Sequence, residues 1–155
     1  MMRALWADPH VVFEGKDHTI PDAGINPLPT KPLDVWIGGG SERTYERIGR
    51  IGDGWLNIYV SPETVQAALN TIHASATAAG RDPAAIGLEC WVGMGGGTPD
   101  DWRADIETWR GLGATHITMN TVFNRGHIKP IEGRDPATHL AAMEPYIQAV
   151  GDLFD

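Results

Sequence analysis

The sequence has one cysteine, few basic residues and no long apolar segment, and each shortage excludes a class of protein. Cys90 has no second cysteine to pair with, so the chain is not a disulfide-stabilised domain. No apolar run approaches the roughly 18 residues of a membrane-spanning helix, and no signal peptide is recognisable. Lys and Arg number 12 against 20 Asp and Glu, and the formal charge of −8 disfavours nucleic acid and anionic membranes as partners. We therefore expect a cytoplasmic protein that binds neither nucleic acid nor membrane.

The sequence also has none of the residue patterns of common catalytic and metal sites. It contains no carboxylate pair, no Ser-His-Asp order, no Cys-His pair and no H-E-x-x-H helix. The six histidines are scattered, so we predict no metal site and assign no catalytic residue. His116 shares one face of a predicted strand with Thr118 and Asn120, and a hydrogen-bonded core histidine is its commoner role. For His127 and Lys129, in the next loop, a solvated side chain and a ligand contact both fit the pattern.

The positions of the turn residues and prolines indicate two regions. At 155 residues, with 42% apolar and 21% charged residues, the chain can form a globular core but is shorter than the roughly 250 residues of a complete TIM barrel. Residues 1–32 begin with the end of a helix. Val11–Phe13 and His18–Ile20 then flank turn residues and predict a hairpin, and a proline-rich arm follows.

Residues 33–155 alternate between strand and helix patterns, which predicts an α/β fold with a parallel sheet of four consecutive βα units. Helices are expected to start at polar caps. The predicted strands are Leu33–Gly38, Gly54–Val60, Ile86–Met94 and Ala114–Thr121, and the caps are Ser41, Ser61, Thr98 and Asp135. Pro145 should kink or restart the last helix near Met143. Periodicity places Cys90 and four tryptophans in the core: Trp36, Trp91, Trp102 and Trp109.

A glycine-rich turn between the first of these strands and its helix is the clearest functional signal. The turn contains Gly38, Gly39 and Gly40, then Ser41 as the helix cap and Thr44 one turn later. Backbone N–H groups at a helix N-terminus bind anions, above all phosphate, and glycines permit close approach. Arg43, Arg47 and Arg50 follow on the helix and could assist an anion or simply be solvated. The alternative reading of the turn is a capped βα connection with nothing bound.

Several segments between residues 13 and 83 carry a resemblance to a known family. Residues 36–41 read W-I-G-G-G-S and residues 47–55 read R-I-G-R-I-G-D-G-W. With residues 13–15 and 19–27 upstream and 79–83 downstream, they resemble the luciferase-like monooxygenases and their deazaflavin-dependent relatives. The resemblance implies a TIM barrel in which this loop holds the phosphate of FMN or coenzyme F-420. By position, Gly40 and Ser41 would offer N–H groups, with the Ser41 and Thr44 hydroxyls beside them.

The same resemblance implies a partial barrel. Four βα units would correspond to the C-terminal half of a (βα)8 barrel, with the first half absent. The expected function is a luciferase-like oxidoreductase that uses F-420 or FMN for hydride transfer or monooxygenation of an unidentified small organic substrate. The arm I-P-D-A-G-I-N-P, residues 20–27, favours F-420. The alternative is a non-catalytic barrel fragment that self-associates or complements a partner half.

Overall fold

The computed structural model of this chain describes residues 1–57, 60–124 and 128–154. These residues form two compact units, Met1–Asp34 and Val35–Asp155. No helix among them is both long and apolar enough to cross a membrane.

The first unit contains a short helix and a hairpin. Helix α1 is Met2–Ala7, and strands β1 (Val11–Glu14) and β2 (Thr19–Ala23) pair antiparallel where the sequence predicts a hairpin. The Gly15 N–H donates to the His18 carbonyl across the turn, 2.8 Å away. The remaining residues of this unit form the proline-rich arm, in which the Asn26–Pro27 peptide bond is cis.

The second unit alternates strands and helices around a parallel sheet, as the sequence predicts. Its sheet order is β3-β4-β5-β6, with every neighbouring pair parallel. The elements are β3 (Trp36–Gly38), α2 (Glu42–Ile51), β4 (Gly54–Asn57), α3 (Val65–Ala78), β5 (Gly87–Gly93), α4 (Pro99–Gly111), β6 (His116–Asn120) and α5 (Pro136–Val150). Short 3₁₀ turns at Pro83–Ala85 and Gly151–Phe154 complete the unit.

The core lies between one face of this sheet and the four helices α2–α5. The alternation along β5 buries Leu88, Cys90 and Val92 against helix residues that include Ile72 and Ile106. The opposite sheet face, here called the inner face, carries half-buried side chains and the exposed His116. In register, its residues are Trp36, Leu56, Glu89, Trp91, His116 and Thr118.

The predicted core positions of Trp36 and Trp91 are therefore wrong. Both lie on the inner face and stay half-buried, whereas Trp109 is buried and Trp102 packs at the edge of the core. The Trp36 indole crosses Gly54 and Gly87, where an added Cβ would come within 2.3 and 2.4 Å of the ring. A period of two identifies a strand face but does not say which face the helices cover.

Several element boundaries also differ from prediction. The first strand begins at Trp36 because the Val35 N–H donates to the Asp53 carboxylate, 2.7 Å away. Gly54–Asn57 is the described part of the predicted strand 54–60, and residues 58 and 59 lie outside the described residues. Helix α3 begins at Val65, since the Ser61 carbonyl accepts from the Thr64 and Val65 N–H groups in a preceding turn.

The last two helices follow their predicted caps. Thr98 and Asp101 form a capping box at α4, and the Asp135 carboxylate caps α5. The last helix does not restart near Met143, because α5 continues through Pro145 to Val150. The predicted kink there stays a prediction.

Candidate functional site

The glycine-rich turn runs directly from the end of β3 into α2. Gly39 has φ of +125°, a conformation that favours glycine, and its Cβ would lie 3.0 Å from the Thr44 Cγ2. The Trp55 Nε1–H donates to the Gly39 carbonyl at 3.0 Å, and the buried Trp55 ring packs edge-on against Tyr45. A hydrogen bond from a core tryptophan therefore holds the turn in place.

The hydroxyls of Ser41 and Thr44 meet at the N-terminus of α2. Ser41 is the N-cap, its Oγ accepts from the Thr44 N–H at 3.3 Å, and the two hydroxyl oxygens are 2.9 Å apart. Gly38, Gly40 and Ser41 are exposed, and Thr44 is half-buried. The first N–H groups of a helix have no intrahelical partners. One hydroxyl donates to the other, and the Thr44 N–H donates to Ser41. The second hydroxyl and the N–H groups that precede Thr44 are the donors that suit an anion.

Charged side chains around this turn have both signs. Glu42 occupies the first helical position, and Arg43 follows it; both are exposed. An acidic first residue stabilises the helix dipole but opposes a bound anion. The binding capacity of the turn therefore depends on backbone and hydroxyl donors, with Arg43 as an exposed cation beside them.

Arg81 ties down the opposite end of α2. Its guanidinium donates to the carbonyls of Gly49 and Gly52, each at 2.6 Å, and to that of Ile48 at 3.3 Å. Its NH2 also lies 3.6 Å from the Asp53 carboxylate. Arg81 belongs to the family-like segment 79–83, so that segment helps to orient the helix behind the glycine turn. The sequence alone showed no such contact.

His116 lies on the inner face and is exposed, so its expected core role is wrong. Its Nδ1 is 2.9 Å from the Thr115 hydroxyl, and its ring meets Trp36 edge-on with centroids 4.8 Å apart. Its register partner Glu89 accepts a hydrogen bond from the Thr118 hydroxyl. The predicted alternation of His116, Thr118 and Asn120 on one face agrees with the register.

Two buried asparagines, for which the sequence predicted no role in the loops, shape the loops after β4 and β6. The Asn57 side-chain amide bonds both the N–H and the carbonyl of Val60, at 2.9 and 3.0 Å. Asn120 repeats this arrangement: its Nδ2 donates to the Phe123 carbonyl at 3.0 Å, and its Oδ1 accepts from the Phe123 N–H at 3.2 Å. Both are polar residues at the last position of a strand, a signal that could have marked them.

A second glycine-rich loop, residues 95–97, forms a wall of a separate depression. Gly96 and Gly97 have φ of +69° and +76°, and the Trp102 Nε1–H donates to the Gly96 carbonyl at 2.9 Å. The depression has a volume of about 410 Å³, and Lys129 and Asp105 are among its lining residues. His127 lies outside the described residues. Within the described ranges, no group of three or more His, Cys, Asp or Glu side chains is placed to hold a metal ion.

Cys90 lies in the core and is chemically protected. It is fully buried between the sheet and the helices, and desolvation raises the pKa of its thiol to about 12. The thiolate that would act as a nucleophile is therefore scarce near neutral pH, and the predicted core role is confirmed.

Comparison with known proteins covers both units of the chain. The family model for luciferase-like monooxygenases matches residues 1–94. The F-420-dependent glucose-6-phosphate dehydrogenase of Intrasporangium calvum is 36% identical over 56 residues, which are 36% of this chain and 17% of that protein. That of Kineococcus radiotolerans is 29% identical over a stretch of the same length. The chain thus matches only a small part of these relatives.

Solved structures give the same fold. The monooxygenase RslO1 of Streptomyces bottropensis aligns over 99% of this chain and 58% of its own length, with a TM-score of 0.63 and 20% identity. An F-420-dependent secondary alcohol dehydrogenase aligns over 96% of this chain and 50% of its own, with a TM-score of 0.55 and 19% identity. The chain spans about half the length of these proteins. From the family match over residues 1–94, this chain belongs to the luciferase-like monooxygenase family.

Proposed function

We propose that this chain holds the phosphate of coenzyme F-420, or else of FMN, in a luciferase-like oxidoreductase that acts on a small organic substrate. The proposed contacts are the backbone of Gly38, Gly39 and Gly40 and the hydroxyls of Ser41 and Thr44. The observation that carries the proposal is the paired hydroxyls, 2.9 Å apart, at the start of α2 and directly after β3. The cytoplasmic location remains a prediction.

The turn fits a phosphate in three respects. It is exposed, it has no side chains at three successive positions, and it lies at the C-terminal end of a parallel strand, where ligands bind in such sheets. F-420 is preferred because the relatives matched in sequence are named as F-420-dependent. When bound, such a cofactor supplies hydride transfer, or oxygen activation for FMN, while the protein binds and orients it.

The four βα units support a partial barrel. Their parallel order and the alignment with about half of longer structures agree with one half of a (βα)8 barrel, which we propose to be the C-terminal half. Hydride transfer and monooxygenation are both compatible with the family, and the substrate stays unassigned.

A matched pair of variants at Ser41 tests the phosphate site. Asp and Asn are both good N-caps, so Ser41→Asp and Ser41→Asn should fold alike, but only Asp places a negative charge at the turn. Two like charges about 4 Å apart repel by about 4 kcal/mol at an effective dielectric constant near 20. We expect Ser41→Asp to weaken binding of FMN and F-420 more than about tenfold, and Ser41→Asn to weaken it far less.

Equilibrium dialysis with each cofactor measures these affinities. Thr98→Asp is the control, because it makes the same change of charge at the N-cap of α4. Equal cofactor affinity in wild type and Ser41→Asp would show that the turn is not the phosphate site.

The second candidate is a non-catalytic fragment that self-associates or complements a partner half. The observation that favours it is the inner face, where Trp36, Leu56 and Trp91 stay half-buried beside the exposed His116. Failure of wild type to bind either cofactor, combined with stable dimers in solution, would favour this reading.

A further inference from the structure

An aromatic pair lies near the C-terminal end of the inner face. Trp91 is two residues before the end of β5, and Phe123 is three residues after the end of β6. Their ring centroids are 5.4 Å apart, and the planes are tilted by 34°. Phe123 is 51% exposed, although large apolar side chains are usually buried. The pair therefore offers an apolar, partly accessible surface at this end of the sheet.

The indole N–H of Trp91 is buried, and no described residue accepts a hydrogen bond from it. Leaving such a donor without an acceptor opposes folding, so a buried unpaired N–H calls for an explanation. Trp55 and Trp102 differ in this respect, since their Nε1–H groups donate to the carbonyls of Gly39 and Gly96. A ligand with an acceptor atom at its edge would supply the partner that Trp91 lacks.

Asn120 holds Phe123 in this position. Its buried amide bonds both backbone groups of Phe123, so the loop after β6 returns toward the neighbouring strand β5. Asn120 and Gly93 are register partners, and the backbone of Lys129 packs on Gly93, where an added Cβ would lie 2.3 Å from the Lys129 nitrogen. The aromatic pair is thus fixed by backbone contacts and not by chance packing of a free loop.

The pair and the glycine turn lie at the same end of one parallel sheet. Strands β3 and β5 are separated by β4, so two inter-strand spacings, about 10 Å, lie between them. A cofactor with its phosphate at Ser41 and its ring beside Trp91 would extend across the end of β4. Its sugar-alcohol chain would bridge the two sites.

We propose that Trp91 and Phe123 bind the planar heteroaromatic ring of the cofactor, with the Trp91 Nε1–H donating to an acceptor atom of that ring after the Phe123 ring rotates, while the Phe123 backbone stays bonded to Asn120. This inference rests on the proposed cofactor function and extends it from the phosphate to the ring. Asn120 is a positioning residue for Phe123.

Riboflavin, FMN and inorganic phosphate separate the two sites. Riboflavin carries the ring without phosphate, FMN carries both, and phosphate competes only at the turn. We expect Trp91→Ala to weaken riboflavin and FMN binding about tenfold or more. Trp91→Phe retains stacking but lacks the N–H, so its loss should be smaller. Neither change should alter the dissociation constant of phosphate obtained from its competition with FMN, and the quenching of flavin fluorescence by the indole should disappear in both variants.

Trp102→Phe is the control, because it removes an indole that donates to Gly96 and lies outside the inner face. Thermal melts of each variant identify any that fail to fold, and Trp91→Phe, the milder change, keeps the test valid if Trp91→Ala unfolds.

The outcomes distinguish this inference from the proposed function. Unchanged flavin affinity in both Trp91 variants, with FMN still sensitive to Ser41→Asp, would overturn the ring site and leave the phosphate site intact. Loss of riboflavin binding on Trp91 substitution, with FMN insensitive to Ser41→Asp, would support the ring site and overturn the phosphate site. No binding of FMN, riboflavin or F-420 to wild type would overturn both.

Discussion

At the scale of single residues, the glycine turn has one position that tolerates only glycine and another with space for a side chain. Gly39 needs its positive φ and its contact with Thr44, so an Asp at this position would strain the backbone as well as add charge. At Gly38, by contrast, an added Cβ would make ordinary contact with Leu56 at 3.8 Å. The effect of charge on anion binding can therefore be measured by substituting Ser41 or Glu42. A substitution of Gly39 would add backbone strain to the effect of charge.

The negative charge of the native Glu42 side chain should oppose anion binding at the turn. Its carboxylate is exposed at the first helical position, next to the proposed phosphate site. Glu42→Gln should strengthen FMN binding about two- to fivefold, the effect of about 0.3–1 kcal/mol for one charge near a helix end. Isothermal titration checks the affinity. Glu46→Gln, an exposed change one turn further along, is the control and should have a smaller effect; equal effects would indicate a general charge term and not a local site.

At the scale of elements, helix α2 is held close to α3 by a glycine in its own interior. Gly49 is buried, and an added Cβ would lie 2.2 Å from the Ile72 carbonyl oxygen and 2.7 Å from the Ser75 Cβ. The Ser75 hydroxyl donates to the Glu46 carbonyl at 2.8 Å across the same contact. With Arg81 at the C-terminus, this contact fixes the direction in which the N-terminus of α2 points.

Gly49→Ala should therefore destabilise the fold by about 1–3 kcal/mol, the usual cost of overpacking. Helix propensity alone would predict that Gly49→Ala stabilises the fold, since Ala is the better helix former. Gly111→Ala is the control: Gly111 ends α4, nothing lies within 4 Å of its added Cβ, and the change should be neutral or stabilising by up to about 1 kcal/mol. Urea denaturation measures both. A Gly49→Ala variant as stable as wild type would show that the helices separate without cost.

The sequence predicted the helices and their caps better than it predicted the contacts between distant elements. The caps Ser41, Thr98 and Asp135 were predictable because a cap bonds to residues within its own first turn. The contacts of Arg81 with the end of α2 were not, since they join residues about 30 positions apart. The inward direction of Trp91 and His116 was also missed, because alternation is the same whichever face packs against helices.

In the candidate site too, the residues that are neighbours in sequence were predictable, and the contact between distant residues was not. The glycines, Ser41 and Thr44 were predicted together because they follow one another along the chain. Their use as a phosphate site remains a prediction. The pairing of Trp91 with Phe123, by contrast, depends on which strands become neighbours and on the amide of Asn120. No spacing in the sequence encodes that contact.

At the scale of the whole molecule, the sheet of the second unit ends in β3 on one side and in β6 on the other. Among the described residues, β3 and β6 each have a hydrogen-bonded neighbour on one side only. Unpaired strand edges are prone to pair with another chain. On the inner face, Trp36, Leu56 and Trp91 keep apolar surface in contact with solvent. In a complete barrel such faces are filled by layers of side chains.

We therefore predict that the chain is a dimer or higher oligomer, or that it binds a complementary half. Burying one large apolar side chain contributes about 1.5–3 kcal/mol, which is a large part of the roughly 5–15 kcal/mol that stabilises a typical domain. Two copies related by a two-fold axis could cover each other's inner faces. Sedimentation at micromolar concentration should give a mass above that of one 16.8 kDa chain. Leu56→Lys should lower that mass, because it places a charge on the inner face, whereas Leu140→Lys, on an exposed position of α5, should not. A monomer that melts cooperatively and binds no hydrophobic dye would contradict the prediction, since its inner face would then be stable in water without any partner.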